Sequence, residues 1–218
     1  MLVDDLNSAL NASDGERDVA AFLRKNPEVV LWAFCKQGGH SMFVLHEFPI
    51  GIAYKADFVV PFSYSGTWEV FFVELEPVLD RVITKAGRPT QRLSSAVSQI
   101  GDWRDSVERN RPAIQRDLSD WCVRKDLLRF RKSKRPPSNY TGDLLKDPDS
   151  FIRFHYHVVI GRRSEITQEA RRKLNQYRYS GAIEIRSYDL FLDIAENLDR
   201  HRLSPHESVY VAETKCDY

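Results

Sequence analysis

Residues 68–77 read Trp-Glu-Val-Phe-Phe-Val-Glu-Leu-Glu-Pro, and this stretch decides the class of fold. Its aromatic and β-branched residues predict a strand that ends before Pro77. Residues two apart on a strand point to the same face, so Glu74 and Glu76 project together with about 6.6 to 6.8 Å between their Cα atoms. Val73 and Leu75 point to the opposite face, into a hydrophobic core.

Two more runs of this kind precede the strand. They cover residues 43–48 and 57–62, and each is bounded by turn-forming residues. The three runs together predict consecutive antiparallel strands. Asp57 stands at the start of its run among apolar residues, and pairing with the later strand could bring its carboxylate beside Glu74.

Two helices are predicted before these strands. Residues 13–16 read Ser-Asp-Gly-Glu, which has the S-x-x-E form of a capping box, in which the glutamate side chain caps the first helical turn. Asn26-Pro27 fits the cap and the first position of a second helix, whose apolar residues 29–34 would be buried.

The second half of the chain alternates helices with strands. A helical stripe of apolar residues begins after Gln91, and strands are predicted at 154–160 and 182–187, each followed by a helix. This alternation predicts the α/β class, with a central mixed β-sheet flanked by helices. The domain boundaries are predicted as follows: an N-terminal segment 1–12, one domain over 13–198 with a basic, proline-containing linker at about 124–150 inside it, and a C-terminal tail 199–218.

Composition excludes several classes of function. The chain has 218 residues, 42% of them hydrophobic, and a net charge of +1, which suits an ordinary packed domain. Because no apolar run approaches the roughly 18 to 20 residues of a membrane span, and the acidic start does not resemble a secretory signal, we expect no membrane association and a cytoplasmic protein. The three cysteines form no CxxC pair and are read as reduced thiols. P-loop, dinucleotide-binding and elbow-serine motifs are absent from the sequence, so no nucleotide cofactor is expected.

Basic residues are concentrated in one stretch. Residues 124–135 carry seven lysines and arginines against the single acid Asp126, which would attract a phosphate backbone; a solvated linker is an equal alternative. Arg162 and Arg163 follow a predicted strand and offer two guanidinium forks, with a solvated surface as the competing interpretation. The candidate nucleic-acid-binding residues are Lys85, Arg88, Arg129, Arg131, Lys132, Arg162 and Arg163.

The carboxylates of the strand pair suggest a metal site. Like charges this close destabilise each other unless a proton or a cation neutralises them, and hard oxygen ligands suit Mg²⁺ or Mn²⁺. Such an ion could hold a phosphate oxygen and lower the pKa of an attacking water, which is the chemistry of phosphodiester hydrolysis. The alternative is that Glu74 and Glu76 simply end a strand in solvent. His155 and His157 also share a strand face, but no carboxylate lies near them at a convincing ligand spacing.

Several motifs in order resemble one family. Asp57-Phe58-Val59-Val60, the strand 70–77 and Gln99-Ile100-Gly101-Asp102-Trp103 resemble the nuclease domain of the Shedu anti-phage defence proteins, within the PD-(D/E)xK superfamily. Residues 158–163 and 183–189 resemble that family's closing strands and its tyrosine-aspartate element. The resemblance covers roughly residues 14 to 198.

This resemblance implies a restriction-endonuclease-like core and a function. It makes Asp57 and Glu74 the metal ligands, with Gln99 close to the site, and it implies DNA as the substrate, Mg²⁺ or Mn²⁺ as the cofactor and a homo-oligomer. Glu16 sits where some branches of the superfamily carry another acid that reaches the metal; its alternative role is the capping box.

One position departs from the family pattern. The pattern is acid-x-Lys, and Glu76 stands where the lysine would be. In one outcome Glu76 is catalytic, as a general base or a ligand of a second ion, and the protein is a DNA endonuclease or nickase. In the other the site is degraded, and the domain binds nucleic acid or a partner without cutting. Lys85 is a candidate substitute cation or a plain surface lysine.

Overall fold

The computed structural model describes residues 1–12, 16–35, 39–84, 86–128, 135–181 and 183–200. Its helices and strands follow the order expected for alternating layers. They are α1 (Leu2–Ala12), α2 (Arg17–Lys25), α3 (Pro27–Phe34), β1 (Leu45–Ile50), β2 (Tyr54–Tyr64), β3 (Thr67–Leu75), α4 (Gln91–Arg109), α5 (Arg111–Lys125), β4 (Ile152–Val159), α6 (Gln168–Gly181), β5 (Ile183–Arg186) and α7 (Asp189–Asp199), with a 3-10 turn at Arg163–Glu165.

The five described strands form one sheet in the order β1-β2-β3-β4-β5. The first three strands pair antiparallel, and β3-β4 and β4-β5 pair parallel. The prediction of an α/β fold with a mixed sheet flanked by helices is therefore confirmed. The parallel pairing requires long crossovers, and the α4-α5 segment and α6 provide them.

The strand register places two acids opposite each other. β2 and β3 pair from Phe58↔Val73 to Tyr64↔Thr67. One further step along the same register sets Asp57 opposite Glu74, and directly opposed residues of an antiparallel pair point to the same face.

Each face of the sheet has its own hydrophobic core. One core lies under α4 and α5, whose apolar stripe from Leu93 to Val107 is buried as the helical spacing predicts. The other lies under the N-terminal helices and α7, and it includes Val73 and Leu75 of β3. Glu74 lies between these two core residues along the strand and points away from their core.

Two segments are more ordered than the sequence pattern indicated. No secondary structure was predicted for residues 1–12, yet α1 buries Leu6 and Leu10, and its first N–H groups donate to the Asp199 carboxylate at the end of α7. Leu2, Leu6 and Leu10 recur every four positions, which is a helical signal that sequence reasoning missed, and the helix packs on both α2 and α7. The described part of the expected linker also packs on the domain, with Leu145 fully buried. The domain boundaries themselves stay a prediction. None of the described helices is both long and apolar enough to cross a membrane.

Candidate metal and active site

Asp57 is held at the start of the β2-β3 pairing. Its Oδ2 accepts a hydrogen bond from the Leu75 backbone N–H at 2.8 Å, so the carboxylate lies across the last residues of β3. Burial, followed by the charge of Glu16, raises the pKa of Asp57 to about 6 against the opposing effect of the Leu75 hydrogen bond.

Glu74 is the most strongly perturbed acid of the site. Its Oε1 accepts a hydrogen bond from Gln99 Nε2 at 2.8 Å, which ties the strand to α4. Burial raises the pKa of Glu74 to about 9, and the negative charges of Asp57 and Glu76 contribute to the rise. One neutral amide does not compensate this carboxylate.

Glu76 follows the last residue of β3 and is buried. Its backbone N–H donates to Val159 of β4 at 2.9 Å, and its carbonyl accepts from the Tyr188 hydroxyl at 2.7 Å. Its side chain approaches Arg92, with 3.5 Å between Oε2 and Nε. Burial raises the pKa of Glu76 to about 7, although the charge of Arg92 opposes the rise.

A glycine lets the chain close tightly behind Glu76. Gly161, directly after the end of β4, has φ of +66°, and a Cβ there would lie 2.6 Å from the carbonyl oxygen of Asp80. Its own carbonyl accepts the Tyr188 N–H at 3.0 Å. A side chain at this position would be both strained and obstructed, so the Gly161 backbone fixes the loop after Glu76 and the start of α7 together.

Glu16 belongs to the acid cluster, and its predicted capping role is wrong. Its carbonyl accepts the first helical bond, from Ala20 N–H at 2.8 Å, so α2 begins one residue later, at Arg17. Glu16 is thus the N-cap residue, and its side chain makes no capping hydrogen bond to a described residue; Ser13 lies outside the described residues. The charge of Glu16 contributes to the raised pKa values of Asp57, Glu74 and Glu76.

Sequence reasoning missed Arg92, the cation beside this cluster. It lies on α4 seven residues before Gln99. Two helical turns separate these residues, so both point along one face of the helix toward the sheet. That spacing from a predicted site residue was the available signal.

The donor set fits a divalent cation, although its side chains are turned toward protein partners. Among the described residues, no group of three or more His, Cys, Asp or Glu side chains is arranged to hold a metal ion. The reason is local: Asp57 is engaged by Leu75, Glu74 by Gln99, and Glu76 by Arg92. Asp57 and Glu74 each keep one carboxylate oxygen without a hydrogen-bond partner among those residues. Two buried, mutually repelling carboxylates with spare oxygens are ligands that Mg²⁺ or Mn²⁺ suits.

Three of the basic candidates lie in the described part of the chain, and two of them pair with acids of α7. Arg162 pairs with Asp189, and Arg163 pairs with Asp193 of the same helix. Arg88 is exposed on the loop before α4. The remaining candidates lie outside the described residues: Lys85, Arg129, Arg131 and Lys132.

His155 and His157 do not form a metal pair. His155 Nε2 lies 2.6 Å from the Glu69 carboxylate, and its ring stacks on Phe71. His157 is buried among Phe34 and Phe71. No carboxylate stands at ligand spacing from the histidines along the chain, and Glu69 approaches His155 from the neighbouring strand of the parallel β3-β4 pairing.

Fold and site together define a class: an α/β protein whose mixed sheet carries buried, uncompensated carboxylates at the end of a central strand. The family model described as "Shedu protein SduA, C-terminal" matches residues 13–192, and the chain belongs to this family. Membership points to a role in anti-phage defence. No curated protein matches the chain.

Proposed function

We propose that this protein is a divalent-metal-dependent DNA endonuclease or nickase of the PD-(D/E)xK type, acting in anti-phage defence. The observation that carries the proposal is the opposition of Asp57 and Glu74, two partly buried acids with raised pKa values and no bonded cation among the described residues. Holding such a pair in a fold is costly unless a ligand neutralises it, and perturbed acids of this kind are typical of functional sites.

The chain's own residues divide the work. Asp57 and Glu74 would hold the Mg²⁺ or Mn²⁺, and Gln99 orients the Glu74 carboxylate through its hydrogen bond. When bound, the ion would neutralise charge on the scissile phosphate and acidify an attacking water. Glu76, whose pKa is about 7, suits a general base near neutral pH. Glu16 adds negative charge that favours cation binding.

The proposal includes DNA as the substrate, a homo-oligomer as the assembly, and basic residues that contact the DNA phosphates. Arg88 and the Arg162-Arg163 pair are the described candidates for phosphate contact, and the salt dependence of duplex binding in their alanine variants tests them. The size of the protein in solution tests self-association.

Nicking of supercoiled plasmid in Mg²⁺ or Mn²⁺ tests the proposed activity. Asp57→Asn and Glu74→Gln should each reduce the nicking rate about 100-fold or more, because each removes a ligand charge while preserving shape. The matched control is Glu69→Gln, the same substitution at a similarly buried glutamate on the same strand. It should nick within about 3-fold of the parent, because distant sites act independently.

Melting curves of all three variants exclude unfolding as the cause of lost activity. Equal cutting by the parent, Asp57→Asn and Glu74→Gln would reject this site. A parent that cuts no DNA in either metal would reject the activity.

A second function, nucleic-acid or partner binding without cutting, is supported by Glu76 in the lysine position and by the engaged carboxylates of the cluster. Metal titration separates the two functions. Saturable Mn²⁺ binding that disappears in Asp57→Asn supports the nuclease. If the parent is inactive and Glu76→Lys gains activity, the site has lost its cation and the second function is supported.

A further inference from the structure

Arg92 is the cation that faces the acid cluster from the helical side. Its Nε lies 3.5 Å from Glu76 Oε2 and 3.4 Å from Asp80 Oδ2. Lys55, the other described cation that influences the cluster, is bonded to Glu47 at 2.7 Å on the exposed side. Arg92 thus lies between two carboxylates, and it is the cation that the structure records in an ion pair with Glu76.

The two ion pairs leave the N–H donors of the Arg92 guanidinium available for hydrogen bonds. The structure records both contacts as ion pairs rather than hydrogen bonds, and it records no hydrogen bond from the guanidinium to any residue it describes. The side chain is 57% exposed. A guanidinium carries five N–H donors in a planar fork that matches a phosphate.

An open cavity adjoins Arg92. Its lining includes Arg81 from the loop after Glu76 and Thr90, Gln91 and Ser95 around the start of α4. Arg92 lines this cavity and pairs with Glu76, so a phosphodiester bound in the cavity would lie beside the acid cluster. Asp80 and Arg81 line the cavity beside Arg92, so a phosphate seated here would meet two guanidinium groups that already pair with carboxylates.

The charges at two positions are exchanged relative to the acid-x-Lys pattern. The pattern puts the cation on the strand, where this chain has Glu76, and this chain puts a cation on α4 directly opposite. We propose that Arg92 is a catalytic residue that contacts the scissile phosphodiester, supplying from α4 the positive charge that a strand lysine would supply. The inference rests on the proposed nuclease function and adds a residue to it.

A purely structural role explains Arg92 poorly. An ion pair at 3.4 to 3.5 Å on a side chain this exposed contributes little to stability. Replacing Arg92 should therefore leave a folded protein, which makes its variants interpretable.

The experiment combines Arg92→Ala and Arg92→Lys with a second substitution, Glu76→Lys. Arg92→Ala should lower kcat about 10- to 100-fold with little change in KM, because the lost charge acts on the transition state. Arg92→Lys, which keeps the charge but loses the fork, should recover activity to within about 10-fold of the parent. In the Glu76→Lys background, Arg92→Ala should cost less than about 3-fold, because the strand lysine replaces the missing cation. Arg109→Ala, at the far end of α4, is the control and should match the parent.

Two readouts do not depend on cutting. Arg92→Ala should bind Mn²⁺ about 3-fold more tightly, because a repelling positive charge is gone, whereas a residue that merely held Glu76 in place would weaken metal binding when removed. In EDTA, Arg92→Ala should bind a short duplex about 3- to 10-fold more weakly than Arg109→Ala does.

The outcomes are separable from those of the proposed function. If the parent nicks no DNA, the nuclease proposal fails, and duplex binding in EDTA still decides whether Arg92 contacts phosphate. Equal kcat for Arg92→Ala and Arg109→Ala overturns the inference. So does an equal loss of kcat in both backgrounds, or equal duplex affinity of the two alanine variants.

Discussion

A glutamate with little exposed side-chain surface lies near each end of strand β3, Glu69 within the strand and Glu76 directly after it. The two glutamates differ in how far neighbouring groups compensate their charge. The Glu69 side chain is 12% exposed and the Glu76 side chain 11%. Glu69 accepts a hydrogen bond from Arg153 Nε at 2.8 Å and lies 2.6 Å from His155 Nε2. Among the described residues, the recorded ion-pair partner of Glu76 is Arg92, at 3.5 Å, and the Glu74 side chain accepts its hydrogen bond from the Gln99 amide.

The two ends differ in whether a neighbouring strand supplies partners for the carboxylate. At the Glu69 end, Arg153 and His155 of β4 contact the carboxylate, which therefore has a structural role. At the other end, burial raises the pKa values of Asp57, Glu74 and Glu76. Acids with raised pKa values are typical of functional sites, and this contrast agrees with the proposed metal site.

The largest expected effect is stabilisation by metal at one end only. Mn²⁺ at about 100 times its Kd should raise the Tm by roughly 5 to 10 °C, from about 2.7 kcal/mol of binding free energy. Differential scanning fluorimetry measures it. Glu74→Gln should abolish the shift and Glu69→Gln should retain it; the same shift in all three proteins would show that the ion binds elsewhere.

Substituting the two glutamates should change stability in opposite directions. Without metal at pH 8, Glu69→Gln should lower the free energy of unfolding by about 2 kcal/mol, because it removes charge-assisted hydrogen bonds. Glu74→Gln should raise it by about 1 kcal/mol, because glutamine does not carry the cost of keeping the Glu74 carboxyl protonated above its ordinary pKa. Urea denaturation of both variants is the measurement, and destabilisation of similar size in both would remove the distinction between the two ends.

The pH dependence of stability should come from the acid cluster. Burial raises the pKa of Glu74 from 4.5 to about 9 in the folded protein, so between these values the folded state holds a proton that the unfolded chain has released. Stability is then highest at low pH in this window and falls as pH rises toward 9. Metal-free protein should lose about 3 to 6 °C in Tm between pH 7.5 and pH 9, which corresponds to about one pKa unit of linkage.

Glu74→Gln is the control for this pH effect, since it removes the titrating group while preserving its shape. The variant should show a flatter profile than the parent. A parent whose Tm rises over the same interval would contradict the raised pKa.

The smallest effect is expected at Tyr188, which directly precedes α7 and links that helix to the end of β3. Its hydroxyl donates to the Glu76 carbonyl, and Tyr188→Phe should cost about 1 kcal/mol, or roughly 2 to 4 °C in Tm. Calorimetry measures it. A loss far above this value would mean that the bond organises the cluster as well as the backbone.

Much of the fold could be predicted from local pattern. Strand β3 and helix α4 follow from alternating and 3.6-residue periodicities, which the chain shows without help from distant residues. Helix α1 was missed although Leu2, Leu6 and Leu10 recur at helical spacing, and it packs on both α2 and α7. For Glu16 the capping box was one of two alternatives; S-x-x-E is a local signal, and in the structure α2 begins at Arg17 with Glu16 itself as the N-cap residue.

The candidate site divides the same way. Asp57, Glu74 and Gln99 were candidates from sequence and family resemblance, and the structure brings them together. Arg92 was missed because nothing in a helix's own sequence says which carboxylate lies beside it. The contact between Glu69 and His155 was missed because the chain between β3 and β4 contains both α4 and α5, so the sequence does not show that the two strands are neighbours.

The sequence by itself determined which residues share a face, because strand and helix periods are properties of the backbone, and so it placed Glu74 with Glu76 and buried the α4 stripe. Only the tertiary structure decided which charges are compensated. Coulomb energy and desolvation depend on distances between segments remote in the chain. The register of β2 against β3 sets Asp57 against Glu74, the parallel partner β4 supplies Arg153 as the cation beside Glu69, and the packing of α4 brings Arg92 to Glu76.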